Sequence, residues 1–163
     1  MMDSVSEARL GVVHPLLARK IRQMADIIGL DRPPVTLRVT QGLRTWGEQA
    51  QLYAQGRSAP GRIVTNAEPG HSWHNFGLAV DVAPFGLDGQ PDWNTSHPIW
   101  QRLVEVGTGL GLVAGAKFRS FPDYPHFQLT GKLPESPDTG VREAFGQSGI
   151  QAIWQETGLE ESV

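Results

Sequence analysis

Apolar residues along this chain fall into short patterned runs separated by Gly and Pro, and each run predicts an element. Leu16, Leu17, Ile21, Met24, Ala25 and Ile28 recur at helical spacing behind His14-Pro15 and stop near Gly29 and the Pro33-Pro34 pair, which predicts a helix. Residues 35–40 read as a strand. Thr45-x-x-Glu48 is a capping box that starts a helix to about Gln55 and places Arg44 at a strand-to-helix junction. In 78–83, Leu78, Val80 and Val82 alternate with Ala79, Asp81 and Ala83, so one strand face carries large apolar side chains and the other leaves room around a carboxylate. Ser96 is expected to cap a helix with Pro98 in its first turn and an end near Thr108. A strand around Leu112 and another over 126–130 follow, residues 56–70 and 84–96 read as Gly/Pro-rich loops, and 138–157 as two short helices. Helices flanking a small, mostly antiparallel sheet make an α+β fold.

Composition narrows the class. At 163 residues with 39% hydrophobic content the chain suits one domain with one substantial core, and it shows no internal repeat or long linker. It contains no cysteine, which excludes disulfides and thiolate metal sites. A net charge of -3 argues against general attraction to nucleic acid or anionic surfaces. The start, Met1-Met-Asp-Ser-Val-Ser-Glu-Ala-Arg9, lacks the basic and apolar regions of a signal peptide, and no apolar run approaches the roughly 20 residues that span a bilayer. Synthesis in the cytoplasm without membrane insertion is the expectation. Oligomeric state is open, with a monomer as the default.

The chemistry concentrates in two segments, Ser72-Trp-His74-Asn-Phe-Gly77-Leu-Ala79-Val-Asp81 and Asp123-Tyr-Pro-His126-Phe. They offer two imidazoles, a carboxylate and a spare carboxylate. Catalytic zinc sites commonly take three such ligands and leave a fourth position to water, and His74, Asp81 and His126 fit that count. Residues 74 and 81 would lie about 10 Å apart along one helix, too far for ligand bonds of about 2 Å, and on one straight strand they would point to opposite faces. The chain must therefore turn between them, at Gly77, with His74 on a loop and Asp81 on the strand that follows. An ionised carboxylate in so apolar a strand needs a cation or a paired partner. His126 should face the same cleft as Gln128.

The pattern Ser-x-His-x-x-Gly-x-Ala-x-Asp with a later Asp-x-x-His resembles the LAS metallopeptidases (lysostaphin, D-alanyl-D-alanine peptidases, hedgehog), especially the branch of phage L-alanyl-D-glutamate endolysins and D-alanyl-D-alanine carboxypeptidases. The resemblance spans about 14–130, implies that family's fold, and implies one Zn2+ held by His74, Asp81 and His126 with Asp123 as general base. Gly42-Leu43-Arg44-Thr45-Trp46-Gly47-Glu48-Gln49 is similar to the family's Arg-Ser/Thr-x-x-Glu-Gln segment, which implies substrate contacts by Arg44 and Gln49, joined by Ser72. Where the branch often has Trp-Gly-Gly, this chain reads Leu112-Val-Ala-Gly115-Ala-Lys117.

The resemblance further implies peptidoglycan stem peptides as substrate, cut by an endolysin-like L-alanyl-D-glutamate endopeptidase, or alternatively by a D-alanyl-D-alanine carboxypeptidase. No separate wall-binding domain is expected, and the protein would reach the wall after phage or prophage lysis or by another export route. A zinc-bearing binding module without catalysis, as among hedgehog relatives, is the reading from another class, and Asp123 argues against it. Simpler roles stand beside these: His14 and His97 as caps or surface residues, His71 as a cleft residue that rivals His74, Asp123 as a turn former, Asp81 as a structural carboxylate, Arg44 as a solvated helix-start residue, Gln49 and Ser72 as backbone partners, the tryptophans mostly as core. Gly107-Thr-Gly109-Leu-Gly111 superficially suggests a dinucleotide loop, but it follows a predicted helix where that motif needs a strand.

Overall fold

In the computed structural model, which describes residues 1–160, Asp3 accepts hydrogen bonds from the amides of Val5 and Ser6 and so opens a helix, α1 (Ser4–Leu10), that the apolar pattern did not predict. α2 (Pro15–Gly29) starts as expected, with His14 Nδ1 accepting from the Leu16 amide and Pro15 in the first turn. β1 (Thr36–Gln41) follows at an outer edge of the sheet, where α1 covers its exposed side. Arg9 donates to the Val39 carbonyl at 2.7 Å, and Ser6 Oγ accepts from the Val39 amide at 2.9 Å. An open strand edge is thereby closed to another chain.

Both bonds of the predicted capping box start α3 (Trp46–Ala54), the Glu48 amide on Thr45 Oγ1 and the Thr45 amide on Glu48 Oε1. β2 (Ala79–Phe85) runs two residues beyond the predicted strand and pairs antiparallel with β1 and with β4 (His126–Gln128). α4 (Pro98–Gly109) begins one residue later than predicted: His97 holds the N-cap position without a side-chain cap bond because its ring is engaged by Asp92, and Ser96 uses its own amide on Asn94. β3 (Val113–Ala114) completes a sheet of order β1-β2-β4-β3. α5 (Thr139–Glu156) is broken at Gly149 (φ 79°, ψ -175°), giving the two short helices expected of the tail.

Two apolar clusters meet across this sheet. The larger joins Leu17, Ile21, Met24 and Ile28 of α2 and Trp100 and Leu103 of α4 to Val39, Val80, Val82 and Phe127 of the strands. Gly107 lets α4 approach that closely, since a Cβ there would lie 2.4 Å from the Phe127 ring. The glycine run that superficially suggested a phosphate loop thus serves packing and, at Gly111 (φ 84°), the exit from the helix. The smaller cluster gathers Trp73, Phe76, Leu78 and Ala79 with Val141 and Ile153 of α5. Trp93, in contrast to the expectation for the tryptophans, is 53% exposed, because it stacks outside Trp100. Among the described residues no helix is long and apolar enough to cross a membrane.

Candidate metal centre and catalytic cleft

Register builds the site. Asp81 stands opposite His126 and Ala79 opposite Gln128, so alternation sends Asp81, His126 and Gln128 to one face of the sheet. His74 comes from a separate element, a 3-10 turn (Trp73–Phe76) in place of the predicted loop. Ser72 Oγ caps that turn by accepting from the His74 amide, and Gly77, at φ 65°, ends it in the left-handed region that glycine adopts without strain. Trp73, Phe76 and Leu78 anchor the turn in the smaller cluster.

The ligand-bearing atoms of His74, Asp81 and His126 lie within 4.8 Å of one another. His74 Nε2 is 3.1 Å from Asp81 Oδ1, and His126 Nδ1 is 3.7 Å from the same oxygen. The far nitrogen of each ring is already engaged. His74 Nδ1 donates to the Gly42 carbonyl at 2.9 Å, and His126 Nε2 donates to Gln128 Oε1 at 2.7 Å. Gln128 Nε2 in turn donates to the Glu135 carbonyl at 3.2 Å, which orients the amide with its oxygen toward His126. With those far nitrogens engaged, the near nitrogens of neutral rings turn lone pairs toward Asp81, so the arrangement calls for a shared cation, which is a proton between His74 and Asp81 when no metal is bound. Two imidazoles and one carboxylate with their outer partners in place make a donor set of the catalytic zinc kind.

The electrostatics agree. Burial pushes the Asp81 carboxyl upward, but the charge and hydrogen bond of His74, with His126 and Arg44, overcome it and hold the pKa at about 2. Burial and the neighbouring His74 charge depress His126 to about 4, so its ring is neutral at neutral pH, as a metal-ligating imidazole must be. Asp123 moves the other way: burial, reinforced by the Asp81 charge, raises it to about 6. Its carboxylate has no hydrogen-bond or ion-pair partner among the described residues, and it lines the cleft without joining the ligand group. A carboxylate poised near neutrality suits proton transfer.

The cleft has a volume of about 1030 Å³ and is also walled by Arg44, Ser72, Trp73, His71 and Phe118. Arg44 Nη2 lies 3.8 Å from Asp81 Oδ2, and Nη1 donates to Gln49 Oε1 at 2.9 Å. Gln49 is fully buried behind Arg44 and donates onward to the Ala67 carbonyl. Asn75, which the sequence reading passed over, donates to the Arg44 carbonyl and accepts from the Gly70 amide, while the Arg44 amide donates to the His74 carbonyl. His71 lies at the rim, 4.0 Å from Glu68 and outside the ligand group.

The peptidoglycan L-alanyl-D-glutamate endopeptidase CwlK of Bacillus subtilis (strain 168) is 34% identical over 126 residues, covering 72% of this chain and 73% of that protein, and the family model described as D-alanyl-D-alanine carboxypeptidase matches residues 65–129. The chain belongs to the M15 family of LAS-type peptidases. M15 peptidases are zinc-dependent in general. The L-alanyl-D-glutamate peptidase of Escherichia phage T5 is 31% identical to this M15 chain over 124 residues, with 73% of the chain and 82% of the phage protein covered. The fold of this chain matches the Serratia marcescens L-Ala D-Glu endopeptidase ChiX (TM-score 0.58, 27% identity, 80% of this chain and 90% of that one). The L,D-carboxypeptidase DacB from Streptococcus pneumoniae shares the fold at 20% identity (TM-score 0.51, 92% and 79% covered).

Of the site residues read from the sequence of this M15 domain, the fold brings His74, Asp81, His126, Asp123, Arg44 and Ser72 to one cleft and puts Gln49 behind Arg44. What the reading lacked was the outer support: Gly42, Asn75 and Glu135 act through backbone or amide bonds. A motif of side-chain types carries little sign of them.

Proposed function

We propose that this protein is a zinc peptidase that hydrolyses peptidoglycan stem peptides as an L-alanyl-D-glutamate endopeptidase. The observation that carries this reading is the convergence of His74 Nε2, Asp81 Oδ1 and His126 Nδ1, with both far ring nitrogens already bonded, beside an unpartnered Asp123. One Zn2+ per chain would be held by those three residues; bound there, it supplies Lewis acidity that polarises the scissile carbonyl and eases deprotonation of water. The Asp123 carboxylate takes the proton of the attacking water and returns it to the leaving amine. Arg44 presents a planar fork that suits a substrate carboxylate, and D-glutamate in the stem carries one. Gln49 holds that fork in place from behind, and Ser72 keeps His74 in its turn while facing the cleft.

The named relatives CwlK, the phage T5 peptidase and ChiX support the endopeptidase reading over the D-alanyl-D-alanine carboxypeptidase that the family description names. A cleft of about 1030 Å³ is also roomier than two alanines require. Mass spectrometry of muropeptides digested by the zinc-loaded protein tests the bond. New D-glutamyl amino termini are expected; release of D-alanine alone would assign the carboxypeptidase activity. The protein would meet this substrate as a monomer, after lysis of the inner membrane or export by another route.

A further inference from the structure

Most lysines and arginines of the described residues have polar partners, as Arg9, Lys20, Arg22, Arg102 and Arg142 illustrate. Lys117 and Arg119 have neither a hydrogen bond nor an ion pair among the described residues, and both line the cleft. Arg62 and Lys132, equally unpartnered there, do not line it. An unpaired cation on open surface is ordinary, but two on one short segment of a substrate cleft are a recognition feature.

The segment is held where it stands. The Gly115 carbonyl accepts from the Phe118 amide at 3.0 Å and from the Asp123 amide at 2.9 Å, which closes the loop 115–123 at its neck. Phe118 then sets its ring 5.4 Å from that of His126. Lys117 and Arg119 flank this anchored phenylalanine. Arg44 follows β1 and Lys117 follows β3, the two outer strands of the sheet, so the cationic groups stand on opposite sides of the cleft. Asp81 on β2 and His126 on β4, the two central strands, lie between them.

Arg44 contacts Asp81 at the metal centre, so the carboxylate it can take belongs to the residue next to the scissile bond. A group on the far wall reaches an anion further along the peptide. We propose that Lys117 and Arg119 form a second anion subsite, for a carboxylate on the stem residue that follows D-glutamate, and that they set a preference for stems in which this carboxylate is free. The inference rests on the endopeptidase reading of the same cleft. An ammonium and a guanidinium on one loop suit it because each donates charge-assisted hydrogen bonds to a carboxylate and neither does so to an amide's nitrogen.

The test compares two synthetic stem peptides that differ only in having the carboxylate of that residue free or amidated, each cut by the zinc-loaded parent and by Lys117→Gln/Arg119→Gln. The parent should show kcat/KM about fivefold to tenfold higher on the free stem, the worth of charge-assisted bonds at an exposed rim. The double variant should bring that ratio to about one, with the loss falling on KM. Lys117→Glu/Arg119→Glu should reverse it. Zinc content and thermal unfolding identify any variant that has not folded, and single substitutions then carry the comparison. Equal rates in the parent, or a ratio unchanged in the double variant, would overturn the subsite while leaving the endopeptidase in place. Failure of the zinc-loaded parent to cut either stem would instead overturn the endopeptidase reading and the subsite with it.

Discussion

The two walls of the cleft are built by different means. On the wall that follows β1, Arg44 is bound through its guanidinium to Gln49, through its amide to His74 and through its carbonyl to Asn75, while Gln49 and Asn75 bond onward to Ala67 and Gly70. On the wall that follows β3, the loop 115–123 is held by the Gly115 and Asp123 carbonyls, by Ala116 against the larger cluster and by the Phe118–His126 ring contact, and it exposes two unpaired cations. The cross-braced wall carries His74, a proposed zinc ligand, and the arginine beside it, where an error of about 1 Å is costly in rate. The looser wall carries Lys117 and Arg119 at the exposed rim, and Asp123, the proposed base, stands where that loop rejoins the sheet.

The largest effect should follow loss of a ligand. His74→Ala, Asp81→Ala or His126→Ala leaves two donors, so zinc content should fall steeply and hydrolysis to background, whichever wall the ligand came from. Full zinc in all three variants, measured by atomic absorption, would break the metal assignment, and loss of zinc in His71→Ala would transfer it to the rival histidine.

A smaller effect tests the neck of the looser wall. A Cβ at Gly115 would lie 2.4 Å from the Asp123 carbonyl and 2.8 Å from His126 Cβ. Gly115→Ala should therefore displace the base and one ligand together, lowering kcat by about 10²-fold and stability by roughly 1–3 kcal/mol. Gly109→Ala, where nothing lies within 4 Å of the added methyl, is the control. Equal behaviour of the two variants would show that the neck positions nothing.

These distances also mark the limit of what the sequence made legible. Local signals were readable because their causes are local: the apolar stripe of α2, the Thr45/Glu48 capping box, the turn at Gly77. The candidate ligand types at 74, 81 and 126 are readable from the paired motifs that carry them, whereas the apolar strand alone favours a structural carboxylate at Asp81. The register that sets Asp81 opposite His126, the bond that His126 donates to Gln128 and the depth of Gln49 behind Arg44 depend on how the segments pack and pair, which spacing does not encode. α1 was missed because its seven residues show too little of the apolar period, although Asp3 stood in the capping position. Residue type favours Ser96 as the cap of α4, whereas the helix starts from His97.

The smallest effect concerns stability. Asp123 titrates at about 6 in the fold against an ordinary value of 3.8, so between those values the folded state binds more protons than the unfolded one. Stability of the metal-free protein should therefore fall as pH rises from 4 to 6, with the penalty fully present above 6. Asp81, held at about 2, contributes oppositely, and its stabilisation is lost as pH falls from about 4 to about 2, below that window. Asp123→Asn should raise the Tm of metal-free protein at pH 7 by a few degrees, about 2 kcal/mol, and change little at pH 4. Equal shifts at both pH values would mean that the carboxyl is not strained by its site.

The most direct test of the account joins that variant to the metal. Asp123 is assigned as a base standing apart from the candidate ligand group, so Asp123→Asn should retain the one zinc per chain expected of the parent. Its turnover on purified peptidoglycan, counted as new amino termini, should fall by about 10²-fold to 10⁴-fold, because the amide keeps the shape of the carboxylate and cannot take the proton of water. Parent and zinc-loaded variant cutting at the same rate would contradict the account and leave Asp123 as a residue of the turn.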